Sequence, residues 1–122
     1  SRQDTEIVIL RVAHLRQCAY ERDHHVRLGR KVGIGPELLA AIEQHGEQRG
    51  EEPSASAGFK PRQRVLLVAV DELVAHKDLS DATWDALSRH YSPTQLVELC
   101  LLVGQYEMLA TTIKTLRIQR DF

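Results

Sequence analysis

Aromatic residues are scarce. Phe, Trp and Tyr together make up 5% of the 122 residues, so a surface that stacks nucleobases is not expected. An excess of either charge is also missing. Sixteen Lys and Arg stand against 17 Asp and Glu, a formal net charge of −1. Nucleic-acid binding therefore has no electrostatic support beyond a local cluster at Lys60, Arg62 and Arg64. No uninterrupted apolar run approaches the ~20 residues of a membrane span; the longest is Val65 to Val70. Ser1 to Leu15 mixes charged and apolar residues throughout, unlike a secretory leader, and no membrane association is expected. Ser1 in place of an initiating Met suggests a trimmed or tagged chain, and a missing native N-terminal segment is an expectation that goes with it. The only two cysteines, Cys18 and Cys100, lie 82 positions apart. They form neither a disulfide framework nor a paired zinc motif, and are expected to be reduced thiols of a cytoplasmic protein. No glycine-rich phosphate loop is present, because Gly29 to Gly35 follows a helix and not a strand.

Apolar residues at 43% and charged residues at 27% describe a globular chain. Its length fits one domain, residues 1–122, able to bury roughly two-thirds of its unfolded surface. Asp4 is the expected N-cap of the first helix. Ile7, Val8, Leu10, Val12, Leu15, Ala19, Val26 and Leu28 then recur at helical spacing with no Gly or Pro among them, so the pattern draws one long helix. Gly35-Pro36 opens a helix with Leu38, Leu39, Ala41 and Ile42 on its apolar side and Gly46 as its stop. Gly46 to Gly58 is polar, small and aperiodic; it reads as a solvated loop, with a lid over a site as the alternative. Pro61 opens a helix whose wide apolar face (Val65, Leu66, Val68, Ala69, Leu73, Val74) makes it the expected central element. Ser80 caps a short helix with Trp84 as a core aromatic. Ser92-Pro93 starts a last helix that is apolar nearly all round from Leu96 to Val103, with Cys100 as a small buried hydrophobe. Such a helix is either a core centre or partly a subunit interface. No strand pattern competes, and the fold class is read as all-α.

Chemistry concentrates in Cys18-Ala-Tyr-Glu-Arg-Asp-His-His25, a thiol, two acids and two imidazoles in eight residues. On a helix, Cys18, Glu21 and His25 fall on one stripe. Glu21 and His25 suit an acid–base pair, since a carboxylate orients an imidazole and strengthens it as a base. On spacing alone, an exposed i,i+4 pair worth a few tenths of a kcal/mol is the simpler reading. Cys18 suits a nucleophile if it sits at a helix N-terminus, with a small buried hydrophobe as the alternative. Glu21-x-x-His24 has the spacing of di-iron helix bundles, but the nearest second pair, Glu72 with His76, is off register, so no metal is expected.

Glu6-Ile-Val-Ile-Leu-Arg-Val-Ala-His14, the Cys18 to His25 block, Asp71-Glu-Leu-Val74 and Leu79-Ser-Asp-Ala-Thr-Trp84 together resemble the carboxymuconolactone decarboxylase and alkyl hydroperoxidase D (AhpD) superfamily. The likeness runs from about Glu6 to Leu116. It implies an AhpD-like all-α bundle of about six helices that assembles with itself, as trimer or hexamer first and dimer second. The peroxidase branch uses a Glu, a Cys-x-x-Cys and a His three residues on. By position these fall on Glu6, Cys18, Glu21 in place of the second Cys, and His25. The replacement by Glu21 removes dithiol cycling and leaves a lone Cys18 open to oxidation to a sulfenic acid.

The decarboxylase branch looks more like Tyr20-Glu21 followed by His24-His25, and implies cofactor-free acid–base work on a small lactone or organic acid. The catalytic set so implied is Glu6, Cys18, Glu21 and His25, with Tyr20, Arg22 and His24 as substrate-binding groups. His25 handles the proton, Glu21 or Glu6 orients it, and His24 or Arg22 takes the substrate carboxylate. Groups from a neighbouring subunit can complete such a site, with Tyr91 and Tyr106 as candidates. Three functions follow in order: a decarboxylase-like enzyme, a single-thiol peroxidase of the AhpD type, and a non-catalytic ligand-binding helical oligomer.

Overall fold

The computed structural model describes residues 1–46 and 58–120. Six helices occur in chain order: α1 Arg2–Leu15, α2 Ala19–Lys31, α3 Pro36–Gln44, α4 Pro61–His76, α5 Asp81–Ser88 and α6 Pro93–Thr115. No strand occurs among the described residues. The stretch between Gly46 and Gly58, read as loop or lid, lies outside them.

The single long N-terminal helix is in fact two. Gln17 adopts a left-handed conformation, φ 51°, although it is neither Gly nor Asn. Its amide donates to His14 O at 3.1 Å and the Cys18 amide to Ala13 O at 2.9 Å. These bonds satisfy the last carbonyls of α1 and turn the chain back. The same device closes α2, where Gly33 at φ 91° supplies the left-handed residue and Ile34 N donates to Gly29 O at 2.8 Å. At Gly29 an added Cβ would meet Ile34 and Leu10 side-chain atoms at 3.4–3.5 Å, so α1 and α2 pack closely there. The first helix is capped by Ser1, whose hydroxyl accepts from Asp4 N at 3.2 Å. Asp4, the expected cap, instead lies buried inside the bundle.

The central element is α1, not α4. Ile7 through Ala13 are all buried, and α1 packs against α2, α3, α4 and α6. Val68 on α4 faces outward, because the apolar face of that helix is wider than the surface it covers on α1 and α5. One core joins α1, α4, α5 and α6 through Val8, Val12, Leu66, Val70, Leu87 and Leu99. A second joins α1, α3 and α4 through Ile7, Leu10, Ile42, Phe59 and Leu67.

Two further assignments are corrected. Trp84 is 51% exposed, because the core side of the short α5 is taken by Thr83 and Leu87. Cys100 is exposed, because α6 buries Leu96, Leu99, Val103, Ala110 and Ile113 and turns Cys100 to the opposite side. By length and composition α6 is also long and apolar enough to cross a membrane, with a mean hydropathy of 1.4. Glu98, Gln105 and Glu107 interrupt its apolar residues, so no single apolar run marks it. Its inner stripe packs on α1 and α4, as in a bundle helix.

Candidate active site

The helical hairpin α1–α2 brings Glu6 opposite His25 across 19 positions of sequence. Glu6 Oε2 lies 2.8 Å from His25 Nδ1. On the other side of the ring, His25 Nε2 lies 3.1 Å from Glu21 Oε2, one turn earlier on α2. Both imidazole nitrogens thus face a carboxylate. The pair is not the exposed i,i+4 contact that spacing alone favours: Glu21 is 7% and His25 6% exposed.

Each short N···O contact requires one proton. The three side chains therefore share two protons, as an imidazolium between two carboxylates or as a neutral imidazole with one protonated carboxyl. The net charge is one negative unit in either form, so a proton can shift between the ends of the relay without changing the buried charge.

Other groups fix the ring. Tyr106 from α6 meets His25 edge-on, with centroids 5.3 Å apart and planes at 84°. Burial, and then the charges of Glu21 and Glu6, push the Tyr106 hydroxyl above its ordinary value. His24 stacks on His25 at 5.0 Å from the exposed side. Tyr106, expected only as a group lent by a neighbouring subunit, meets His25 from within the same chain. Tyr91 does other work: it donates to Asp4 Oδ2 at 2.9 Å, alongside Arg62 and Gln63.

The remaining candidates part company. Cys18 is the N-cap residue of α2 and is 2% exposed, packed with Ala110, Ile113 and Tyr20. It borders a cavity of about 240 Å³ whose rim carries Lys114, Arg117 and Arg120. Arg22, expected at the substrate, is turned to α3, where its Nε donates to Glu43 Oε1 at 2.5 Å. That bond raises its already high pKa. A second cavity of about 320 Å³ opens beside Glu6, between the start of α1 and the end of α2.

Among the described residues no group of three or more His, Cys, Asp and Glu converges to hold a metal ion. Glu72, half of the off-register pair, accepts from Ser80 N at 2.7 Å and from the Thr83 hydroxyl, fixing the start of α5.

The model of the carboxymuconolactone decarboxylase family matches residues 1–63, a span that contains Glu6, Cys18, Glu21 and His25. The Asp71 and Leu79 blocks lie beyond that span. Among solved structures, a protein of unknown function from Agrobacterium tumefaciens, named there as a candidate antioxidant defence protein AhpD, superposes with a TM-score of 0.83. The match covers 100% of this chain and 80% of that one at 19% identity, a likeness of fold alone. No curated protein sequence matches the chain.

Proposed function

The chain belongs to the carboxymuconolactone decarboxylase family, and from that premise we propose that it is an enzyme moving a proton on a small lactone or organic acid through Glu6, His25 and Glu21. The observation that carries this reading is the buried imidazole held on both nitrogens by carboxylates. In a decarboxylation the C–C bond to the carboxylate breaks, carbon dioxide leaves, and the bonding pair remains on the α-carbon as an enolate. The enolate then needs a proton at carbon. A relay that hands over one proton and is refilled from solvent supplies it. Tyr106 and His24 keep the ring plane fixed while the proton moves.

The test is a screen of small lactones and keto acids for release of carbon dioxide, followed by His25→Asn on any substrate found. Loss of a positioned acid–base group lowers kcat by about 10²–10⁴. Full activity of His25→Asn would end the assignment.

A second reading rests on Cys18 at the start of α2 beside the cationic rim of Lys114, Arg117 and Arg120. There the thiolate attacks a peroxide oxygen, an S–O bond forms as the O–O bond breaks, the second oxygen leaves as an alcohol or water, and the sulfenic acid is reduced by an external thiol. Peroxide consumption unchanged in Cys18→Ser, with intact mass showing no oxidation of Cys18, excludes it.

We also infer self-association through the outer face of α6. Val97, Leu101 and Met108 recur there at helical spacing, Leu101 is 67% exposed, and nothing stands within 4 Å of a Cβ added at Gly104. Sedimentation showing an oligomer that Leu101→Glu dissociates supports this; a monomeric wild type removes it.

A further inference from the structure

The relay has one end at an open cavity. Glu6 lines the space of about 320 Å³ between the start of α1 and the end of α2, while His25 lies behind it. Glu6 Oε2 faces His25 Nδ1 at 2.8 Å. The group that meets a molecule in this cavity is therefore Glu6, with His25 passing the proton onward.

The other walls say which molecule fits. Leu28 and Val32 are apolar, Thr5 offers a hydroxyl, and Arg2 and Lys31 supply two cations. Arg11 on α1, Arg16 at its C-cap and Arg22 on α2 are each paired with a carboxylate of this chain. No ion pair engages Arg2 or Lys31 among the described residues. The mouth of the cavity is fixed by Gln3, whose side-chain amide donates to Val32 O at 3.1 Å across the helix ends. The space corresponds to roughly ten water molecules, small for a ligand pocket. An anion approaching Glu6 and Glu21 meets repulsion unless cations stand at the entrance, and here two do.

We propose that this cavity is the substrate pocket, and that Arg2 and Lys31 select a small organic carboxylate, held between their cationic heads with its reacting carbon toward Glu6. The proposal rests on the relay described above. It replaces Arg22, which is spent on Glu43, as the carboxylate-binding group. A planar guanidinium grips a carboxylate through two parallel N–H bonds, and an ammonium adds a point charge.

The experiment uses succinate as anionic probe and dimethyl succinate as its neutral counterpart, at constant ionic strength, read by methyl NMR of Leu28 and Val32. Succinate is expected to shift these signals saturably while the diester does not. The double variant Arg2→Ala, Lys31→Ala is expected to weaken binding at least about tenfold, with Arg89→Ala, at the remote C-cap of α5, binding as wild type. Equal response to the diester, binding unchanged in the double variant, shifts gathered at Cys18 and Tyr20, or no saturable shift by about 10 mM overturns the assignment. The readout needs no turnover, so the two failures separate. Succinate binding that depends on Arg2 and Lys31, with His25→Asn fully active, ends the relay alone. Turnover lost in His25→Asn, with binding indifferent to both cations, ends the pocket alone.

Discussion

Replacing Arg11 with Met removes a guanidinium that ties three helices together. Arg11 on α1 is buried, and its Nε and Nη2 grip Asp71 on α4 at 2.7 and 3.1 Å. Its Nη1 and Nη2 also cap the end of α3, donating to Ile42 O, Glu43 O and His45 O at 2.9–3.2 Å. Met fills the space of the aliphatic stem and supplies none of these donors. The full sum of five charged hydrogen bonds is not lost, because some acceptors recover water. The Asp71 side chain is 32% exposed, and its stranded charge costs about 1–2 kcal/mol once solvation is allowed for. The Ile42 carbonyl bond is fully buried and costs a further 1–3 kcal/mol, roughly, if unpaired. The expected loss is about 3 kcal/mol, within the range for breaking a buried pair by removing one partner. For a chain of this length that lowers Tm by about 10–15 °C.

The assay is urea unfolding followed by circular dichroism, with Arg11→Met, Asp71→Leu and the double variant forming a cycle. The double variant is expected to lose less than the sum of the single ones. A single-variant loss below about 1 kcal/mol, or strict additivity, refutes the reasoning.

Three further outcomes follow from the same contacts. Burial raises the Asp4 carboxyl, but hydrogen bonds from Arg62, Gln63 and Tyr91 overcome it and hold the pKa at about 2 instead of 3.8. The folded value is depressed, so this stability is present above about pH 4 and lost as pH falls toward 2; Asp4→Asn is expected to flatten acid unfolding there, by on the order of 1–2 kcal/mol after screening. Burial lowers the His45 pKa from 6.5, Asp71 opposing and Arg11 assisting. The unfolded chain therefore takes that proton more readily, stability falls as pH drops through the imidazole range, and unfolding curves of His45→Gln should lose that slope. Tyr106→Ala removes the edge contact on His25 and is expected to lower kcat more than it raises KM on any substrate found, whereas equal kinetics would show that the ring needs no such support.

Much of the site could be read in the chain because the α2 stripe is local. Cys18, Glu21 and His25 sit at spacings that survive any uncertainty about the helix start, and the family pattern supplied Glu6. The break at Gln17 carried no such mark. It uses a left-handed Gln, which costs on the order of 1 kcal/mol, where Gly would have announced a turn. Faces failed where a helix was apolar on more sides than its neighbours cover: Val68, Trp84 and Cys100 all turn outward. Partners failed where the contact is distant in sequence. Nothing near Arg22 announces Glu43 on α3, and nothing near His25 announces Tyr106, 81 positions on.

The left-handed turn after α1 also sets the order in which the relay can be assembled. Closing a chain segment costs entropy that rises by only about 0.6 kcal/mol per doubling of its length. Glu6 and His25 close 19 positions through a preset turn, while Tyr106 waits for a span two doublings longer. The hairpin can therefore bring Glu6, Glu21 and His25 together before α6 docks. Insertions or deletions between α3 and α4 then alter the chain's connectivity and leave the relay's own loop closure untouched.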